Sequence, residues 1–373
     1  MIVAARQLLA PRGLTGPGWI EVQAGRIAGW GEGTPPAAPD TVVDGLVAPG
    51  FVDVHAHGGG GANFGADPDQ TATVLATHLA HGTTTMVGSL VTESLATMEA
   101  EVRAMSAFVS AGRLAGIHLE GPWLAEAYKG AHPADRLLDP AIADIDRLLQ
   151  ASQHTIRMVT IAPEKPGALD AIRYLAAHGV AVAVGHTAAD FDQARAAIAA
   201  GARGATHLFN AMPDLLHRQP GPGLALWQDP RVWVELICDG VHVHLSLVAQ
   251  VMATKPDKAV LVTDAMAAAA FGDGDYVLGE LSVEVRDRVA RVAGTTTIAG
   301  STLTLSRAVQ TAIAAGIDPR IALEAATSHP ADYLGLTDVG RIESGRWADL
   351  VCLDDDFAVQ RVMRRGTWVG PVA

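Results

Sequence analysis

Two histidines stand one residue apart at the end of an apolar run, where residues 51–61 read FVDVHAHGGGG. Val52 and Val54 alternate with His55 and His57, which is the period of two expected for a β-strand. One strand face therefore carries two imidazoles, the commonest metal ligands in proteins. The glycines that follow predict a strand end at which backbone can approach a ligand closely. Because an isolated His-x-His pair is a weak signal, a metal site requires further ligands from elsewhere in the chain.

Eight short apolar runs rich in β-forming residues lie between residues 51 and 266, and helix-like stretches separate most of them. The runs are residues 51–57, 82–89, 114–121, 155–164, 179–187, 204–210, 232–240 and 259–266. Strands that alternate with helices over this length predict an α/β fold, a (β/α)8 TIM-like barrel. A doubly wound sheet is the alternative, because alternation alone does not require the sheet to close.

Side chains that bind metals lie at the ends of five of these eight runs. They are His55, His57, Glu120, His186, His207 and Asp264. In a barrel the carboxyl ends of the strands meet at one face, where active sites are built. A lone strand-end histidine is ordinarily a hydrogen-bonded surface residue, but six convergent residues predict a metal site. The mixture of imidazole and carboxylate suits zinc, iron, cobalt or manganese.

The two ends of the chain lie outside the eightfold pattern. Residues 1–48 and 338–373 contain short strand-like pieces, so we expect them to pair into one small composite β domain, a β-sandwich built from both termini. Residues 49–337 then form the catalytic barrel, with a β insertion near residues 275–299 and two late helices after it.

The composition excludes several classes of protein. With 49% hydrophobic and 18% charged residues among 373, the chain is predicted to be globular. Its formal charge of −13 argues against a nucleic-acid partner, and an anionic substrate would need local positive groups. The two cysteines, Cys238 and Cys352, suggest no disulfide framework. We find no secretory segment and no apolar stretch that could span a membrane, so we expect a cytoplasmic protein.

Motifs along nearly the whole chain resemble one enzyme family. They are PGFVDVHAHGGGG (49–61), HLEGPWL (118–124), KGAHP (129–133), VGHT (184–187), THLFNAM (206–212), CDGVHV (238–243), VTDAM (262–266), AGSTLTL (299–305), ATSHPADYLGL (326–336) and GRIESGRWADLV (340–351). The chain resembles the N-acetylglucosamine-6-phosphate deacetylases of the amidohydrolase superfamily. The His-x-His pair is common to many amidohydrolases, whereas the combination of HLEGP, KGAHP and HLFNAM is far more specific.

The resemblance implies a metal-dependent hydrolase of a linear amide. The expected reaction converts N-acetylglucosamine-6-phosphate to glucosamine-6-phosphate and acetate, in amino-sugar catabolism or cell-wall recycling. By their place in the family motifs, Glu120, His186 and His207 would hold the principal divalent ion. Because His55 and His57 are both retained, a second ion bridged by Glu120 is possible. One or two ions per subunit are therefore expected, with zinc first among the candidate metals.

The resemblance also assigns roles to single residues. Asp264 would act as general base toward the attacking water and then as general acid toward the leaving amine. His132 would polarise the substrate carbonyl and stabilise the oxyanion. The phosphate would be held by Asn210, Ala211, Arg218 and His242. In the family this arginine reaches into the site of a neighbouring subunit, which implies a homodimer.

Three alternatives remain open at this point. A deacetylase of N-acetylgalactosamine-6-phosphate would have nearly the same sequence, because loop shape sets the preference between epimers. Other amidohydrolases, such as dihydroorotases, hydantoinases and isoaspartyl dipeptidases, often bridge two metals with a carboxylated lysine, and here Glu120 takes that place. An inactive sugar-phosphate binding protein is the non-enzymatic alternative, since fold alone does not determine function. Retention of Asp264 beside all the ligands argues against it.

Overall fold

Two stretches near the N-terminus, residues 2–5 and 18–23, bury alternate residues, as expected for a sheet with one face against a core. A computed structural model describes residues 1–370, and residues 371–373 of the predicted composite domain lie outside the described residues. The first five strands are β1 (Ile2–Ala10), β2 (Gly13–Thr15), β3 (Gly18–Gln23), β4 (Arg26–Glu32) and β5 (Thr41–Pro49). In β3 the buried positions are Gly18, Ile20 and Val22.

The next segment of the chain alternates strands with helices. It begins with β6 (Phe51–Ala56), in which all six residues are buried, as in a strand covered on both faces. The elements that follow are β7 (Gly58–Gly59), β8 (Ala62–Asn63), α1 (Pro68–Ala80), β9 (Thr83–Leu90), α2 (Leu95–Ser110), β10 (Gly116–Glu120), α3 (Ile142–Ala151), β11 (Ile156–Ile161), α4 (Ala168–Ala177), β12 (Ala181–Val184), α5 (Phe191–Ala200), β13 (Gly204–Ala205), α6 (Gly221–Gln228), β14 (Trp233–Ile237), α7 (Leu245–Thr254) and β15 (Ala259–Val262).

Eight of these strands form one parallel sheet in the order β6-β9-β10-β11-β12-β13-β14-β15. Each of the eight predicted runs overlaps one of them. The sheet closes at its carboxyl end, where Ala56 forms a parallel bridge with Ala265. The barrel prediction is confirmed, and the doubly wound alternative is excluded because the first and last strands meet.

The remaining elements follow the last barrel strand. They are β16 (Gly274–Leu278), β17 (Leu281–Arg286), β18 (Val289–Val292), α8 (Leu305–Ala314), α9 (Pro319–Ala325), α10 (Ser328–Tyr333), β19 (Leu350–Leu353), β20 (Val359–Arg364) and β21 (Thr367–Trp368). The strands β16, β17 and β18 form a separate antiparallel sheet within the segment where an insertion was expected. This sheet packs on residues 266–268, directly after the last barrel strand.

Strands from both ends of the chain form one sheet in the order β21-β20-β19-β5-β1-β3-β4, with β2 paired to β1. The amide of Ile27 in β4 donates to the carbonyl oxygen of Arg346, just before β19, at 2.9 Å, so the sheet curls back on itself. Side chains from both halves of this sheet share one core, as expected for the predicted β-sandwich. The two halves are continuous because β5 pairs with β1 on one side and with β19 on the other.

Within residues 1–370, no helix has both the length and the apolar character needed to cross a membrane.

Candidate metal centre and active site

All six predicted strand-end residues lie together in the mouth of the barrel. Each is at least 90% buried, because the strands converge there and loops cover their ends. They are His55 in β6, His57 just after it, Glu120 at the end of β10, His186 two residues after β12, His207 two residues after β13 and Asp264 two residues after β15.

Glu120, His186 and His207 form one group of potential ligands. Oε1 of Glu120 lies 3.2 Å from Nε2 of His207 and 3.3 Å from Nε2 of His186. The two imidazole Nε2 atoms are 3.0 Å apart. Three donor atoms from three different strands therefore surround one point.

A second group shares Glu120 with the first. Nε2 of His57 lies 3.1 Å from Oε2 of Glu120 and 3.3 Å from Oδ1 of Asp264. Nε2 of His55 lies 3.4 Å from the same Asp264 oxygen and 3.2 Å from Nε2 of His57. Oε1 of Glu120 faces His186 and His207 and also lies 3.4 Å from Nε2 of His55, so the carboxylate lies between the two histidine pairs.

The chemistry of these donors fits a divalent cation. Nδ1 of His186 lies 2.9 Å from the carbonyl oxygen of Tyr128, which can only accept a hydrogen bond. Nδ1 of His186 therefore carries the proton, and its Nε2 directs a lone pair at the centre. Buried carboxylates in contact with neutral imidazoles are costly without a compensating charge. A cation at the centre satisfies the lone pairs and the carboxylates together.

Four site residues other than glycine have left-handed backbone conformations. They are His186 (φ 47°), His207 (φ 29°), Ala211 (φ 50°) and Asp264 (φ 48°). Such conformations are uncommon outside glycine and concentrate at functional sites. Three of the four residues lie two positions after a barrel strand. The strained conformations therefore occur where the chain turns at the mouth of the barrel.

A cavity of about 450 Å³ opens above the ligand groups. His132, Asn210, Ala211 and His242 line it together with the predicted ligands, apart from His55, which lies below them. The inserted sheet and the loop after it contribute Leu278 and residues 296–298 to the facing wall. The metal-ligand residues, the proposed phosphate contacts and the inserted segment therefore line one cavity. Its size suits a small molecule.

The tautomer of His132 is set by Thr92. The Thr92 amide donates to Nδ1 of His132 at 3.3 Å, and the Thr92 hydroxyl lies 2.9 Å from the same nitrogen. Nδ1 is therefore the acceptor, and Nε2 carries the proton, 3.5 Å from Oε2 of Glu120 at the cavity. Burial lowers the pKa of His132 to about 4, so the ring is a neutral hydrogen-bond donor near pH 7.

His242 is held by Asp239 in the loop after β14. Nδ1 of His242 lies 2.7 Å from Oδ2 of Asp239, whose other oxygen accepts the backbone amides of Val241 and His242. Burial lowers the pKa of His242, but the Asp239 carboxylate outweighs it and raises the pKa above its ordinary value of 6.5. The ring therefore favours the cationic form, which suits contact with an anion.

Arg218 is the one predicted site residue that lies away from this cavity in the described chain. It is exposed, in the loop between β13 and α6. Leu215 and Leu216 in the same loop are 46% and 51% exposed. The backbone amide of Asn210 is also engaged, because it donates to the carbonyl oxygen of His207 at 2.9 Å.

The glycines after β6 contact protein backbone and do not line the cavity, contrary to the expectation that they bring backbone close to a ligand. The amides of Gly58 and Gly61 donate to the carbonyl oxygens of Ala265 and Ala267, each at 2.8 Å. A Cβ atom at Gly58 would lie 2.5 Å from a backbone oxygen of Ala62. These glycines therefore let the β7–β8 hairpin pack against the loop that follows the last barrel strand.

Sequence reasoning missed the residues that support the ligands. Thr92, Asp239, Glu235 and His118 hold site histidines or lie beneath them. For Glu235 a signal existed, since a carboxylate within the apolar run VWVELI is unusual. For Asp239 the three-residue spacing to His242 in a turn was the available clue. Thr92 lies in a loop and offered no signal.

Comparisons with known proteins agree with this geometry. The amidohydrolase family profile matches residues 46–369. The chain is 38% identical over 369 residues to an N-acetylgalactosamine-6-phosphate deacetylase of Escherichia coli O157:H7, covering 96% of this chain and 98% of that one. It is 36% identical over 331 residues to an N-acetylglucosamine-6-phosphate deacetylase of Vibrio furnissii, covering 87% of this chain and 82% of that one.

One solved structure extends the likeness to the whole fold. It is a mutant N-acetyl-D-glucosamine-6-phosphate deacetylase from Mycobacterium smegmatis in complex with N-acetyl-D-glucosamine-6-phosphate. Its sequence is 47% identical and its TM-score is 0.97, over 99% of this chain and 98% of that one.

Proposed function

Because this chain belongs to the amidohydrolase family, we propose that its site hydrolyses the N-acetyl amide of N-acetylglucosamine-6-phosphate to glucosamine-6-phosphate and acetate. The single observation that carries the proposal is the arrangement of the cavity. Asp264 and the ligand groups lie at its floor, His132 presents a donor to it, and His242 presents an imidazole whose pKa the Asp239 carboxylate raises. An amide with a phosphate on the same small molecule requires these three features together.

Asp264 moves the proton in the proposed reaction. Its Oδ1 lies 3.4 Å from Nε2 of His55 and 3.3 Å from Nε2 of His57, so a cation held by these histidines would keep the carboxylate ionised and able to accept a proton. It takes one from the attacking water and returns it to the amine nitrogen as the tetrahedral intermediate collapses. When bound, a divalent ion supplies a water of lowered pKa and polarises the acetyl carbonyl.

His132 stabilises the oxyanion that develops on the acetyl group. Its Nε2–H faces the cavity because Thr92 occupies Nδ1. A donor that is already oriented pays no reorganisation cost as the negative charge forms. Its neutral state also avoids adding a positive charge beside the bound ions.

The phosphate lies at the His242 side of the cavity. A cationic imidazole offers a charge-assisted hydrogen bond to a phosphate oxygen. The backbone amide of Ala211 has no acceptor within the described residues and lines the same cavity, so it can donate to the phosphate. These local groups offset the formal charge of −13, which by itself would repel an anion.

N-acetylgalactosamine-6-phosphate is the second candidate substrate. The relative named for that substrate is 38% identical across 96% of this chain, so the sequence supports both epimers. The two sugars differ at one hydroxyl group. The chemistry at the acetyl and phosphate ends would therefore be the same for both substrates.

For the metal, we assign two positions, with zinc first and iron, cobalt or manganese as alternatives. Imidazole and carboxylate ligands suit all four metals. His186, His207 and Glu120 would hold the first ion, and His55, His57 and Glu120 would hold the second.

We further propose a homodimer in which Arg218 of one subunit completes the phosphate site of the other. The exposed leucines beside Arg218 support this proposal, because a second copy would cover them. We also assign the reaction to the cytoplasm, and the two free, buried cysteines are consistent with a reducing compartment.

Acetate release tests the proposed reaction directly. Both phosphorylated epimers and unphosphorylated N-acetylglucosamine are assayed with the protein as purified, after chelation, and after restoration of Zn²⁺, Fe²⁺, Co²⁺ or Mn²⁺. We expect metal-dependent turnover of a phosphorylated sugar only. Failure with both epimers and every metal would overturn the proposal and direct the search to other linear amides.

A further inference from the structure

A buried glutamate that is neither a proposed metal ligand nor a catalytic residue lies under the ligand groups. Glu235 occupies the middle of β14, where all five residues are buried, and its own exposure is 0%. Charged residues are almost never fully buried unless they are paired. In the described chain, its only ion-pair partner is His55.

The contact between the two residues is close and directional. Oε2 of Glu235 lies 3.0 Å from Nδ1 of His55. A carboxylate accepts, so the proton of a neutral His55 sits on Nδ1 and its Nε2 keeps a free lone pair. That Nε2 faces His57, Glu120 and Asp264 at 3.2–3.4 Å. Glu235 therefore determines which nitrogen of His55 is available to a metal.

A second ring fixes His55 from the side. His118 lies edge-on to His55, with ring centroids 4.6 Å apart and an interplanar angle of 82°. Both nitrogens of His118 are themselves engaged, Nδ1 at 2.9 Å from Ser89 Oγ and Nε2 at 2.8 Å from Thr160 Oγ1. The Glu235 carboxylate thus holds Nδ1 of His55, and the oriented ring of His118 packs against the same imidazole.

The charge balance points to a cation at this position. Glu120, Asp264 and Glu235 are three buried carboxylates that contact the site histidines, and no Lys or Arg among residues 1–370 pairs with them. One divalent ion would compensate only two of the three. The third carboxylate favours a second cation beside His55 and His57.

We propose that Glu235 is the positioning residue for the second metal ion, acting through the tautomer and orientation of His55. A carboxylate that accepts from a ligand histidine raises its basicity, and removal of such a partner typically weakens metal binding about 10–100-fold. The inference rests on the metal site of the proposed function and is independent of its substrate.

The test titrates metal-free protein with Zn²⁺ against a competing chelator and measures bound zinc after dialysis. Wild-type protein is expected to bind two equivalents. Glu235→Leu should lose most of the second equivalent, with about 100-fold weaker binding, and Glu235→Gln about tenfold weaker binding, because the amide oxygen still accepts from His55. Asp349→Asn, which changes a buried carboxylate outside the barrel mouth, is the matched control and should bind zinc as wild type does.

A double-mutant comparison separates positioning from general support of the fold. In a His55→Ala/His57→Ala background, Glu235→Gln should leave the affinity of the remaining ion within about twofold. His55 is then absent, and the glutamine oxygen can still accept the bond from the backbone amide of His207, which Glu235 Oε2 accepts at 3.4 Å. Thermal unfolding without metal verifies that each variant folds. If Glu235→Leu does not fold, the comparison of Glu235→Gln with wild-type protein is sufficient for the test.

Three results would overturn the proposal. The first is wild-type protein that binds only one ion, and the second is a Glu235→Gln variant with unchanged affinity for the second ion. The third is a Glu235→Gln change that weakens zinc binding as much in the double-alanine background as in the wild-type background. Lack of deacetylase activity with two bound ions would instead contradict the proposed substrate and leave the role of Glu235 standing.

Discussion

The backbone amide of Asp264 donates to the carbonyl oxygen of His55 at 2.8 Å, and the side chains of the same two residues approach to 3.4 Å. The contact that joins the first and last barrel strands therefore also places the proposed general base beside a proposed metal ligand. Because the backbone bond does not involve the carboxylate, a change confined to the side chain leaves barrel closure intact.

Replacing Asp264 by Asn should lower kcat by about 10²–10⁴-fold with little change in KM, because the amide cannot carry the proton from water to the amine. Steady-state acetate release measures both constants. Thermal unfolding of the variant should match that of wild type, since the bond to His55 is retained. A variant with more than about a tenth of wild-type kcat would show that another group moves the proton.

His132→Asn should lower kcat by about 10²–10³-fold, as expected for the loss of one oxyanion donor. Thr92→Val should cost less, about tenfold, because the Thr92 amide still holds Nδ1 of His132 after the hydroxyl is removed. The double variant should be no slower than His132→Asn alone, since Thr92 acts through that ring. Additive losses in kcat would mean that Thr92 has a separate role.

Mixing two inactive variants tests whether Arg218 acts across subunits. Arg218→Ala and Asp264→Asn should each be nearly inactive alone. After the subunits are exchanged at equal concentrations, about a quarter of the sites should contain both groups, and that share of wild-type activity should return. If heterodimers verified by mass spectrometry recover no activity, a shared site is excluded.

Phosphate recognition should depend on pH through His242. Burial lowers its pKa and Asp239 raises it above 6.5, with the nearby Asp264 adding to the increase. The cationic form therefore persists to higher pH than in a free histidine. KM for the phosphorylated sugar should rise as the pH rises through this increased pKa, because the ring loses its charge. Asp239→Asn removes the main raising group, so the same rise in KM should begin at lower pH.

The control for this prediction is inhibition by unphosphorylated N-acetylglucosamine, whose inhibition constant should not respond to either residue. His242→Asn should raise KM for the phosphorylated substrate at all pH values and abolish the pH dependence of KM. A pH dependence that survives in His242→Asn would assign it to another group, such as the substrate phosphate itself.

Local patterns were sufficient to predict the barrel and the residues that converge at its mouth. Alternation of strands and helices is a short-range property, and the parallel strands of a barrel bring their carboxyl ends to one face. Residues such as Glu120, His186 and His207 therefore had to converge once each followed a buried strand. The likeness of the motifs to a known family added the roles of His132 and Asp264, which position along the chain does not reveal.

Only the tertiary structure decided how these residues are held. His55 and Glu235 are separated by 180 positions, and His132 and Thr92 by 40, so no local pattern pairs them. The tautomer of each histidine depends on that partner, and the tautomer determines whether a ring nitrogen binds metal or donates to substrate. Closure of the barrel through His55 and Asp264 and the curling of the terminal strands into one sheet are likewise long-range pairings. Sequence periodicity determines which face of an element is buried, whereas the packing of distant elements determines which residues that face contacts.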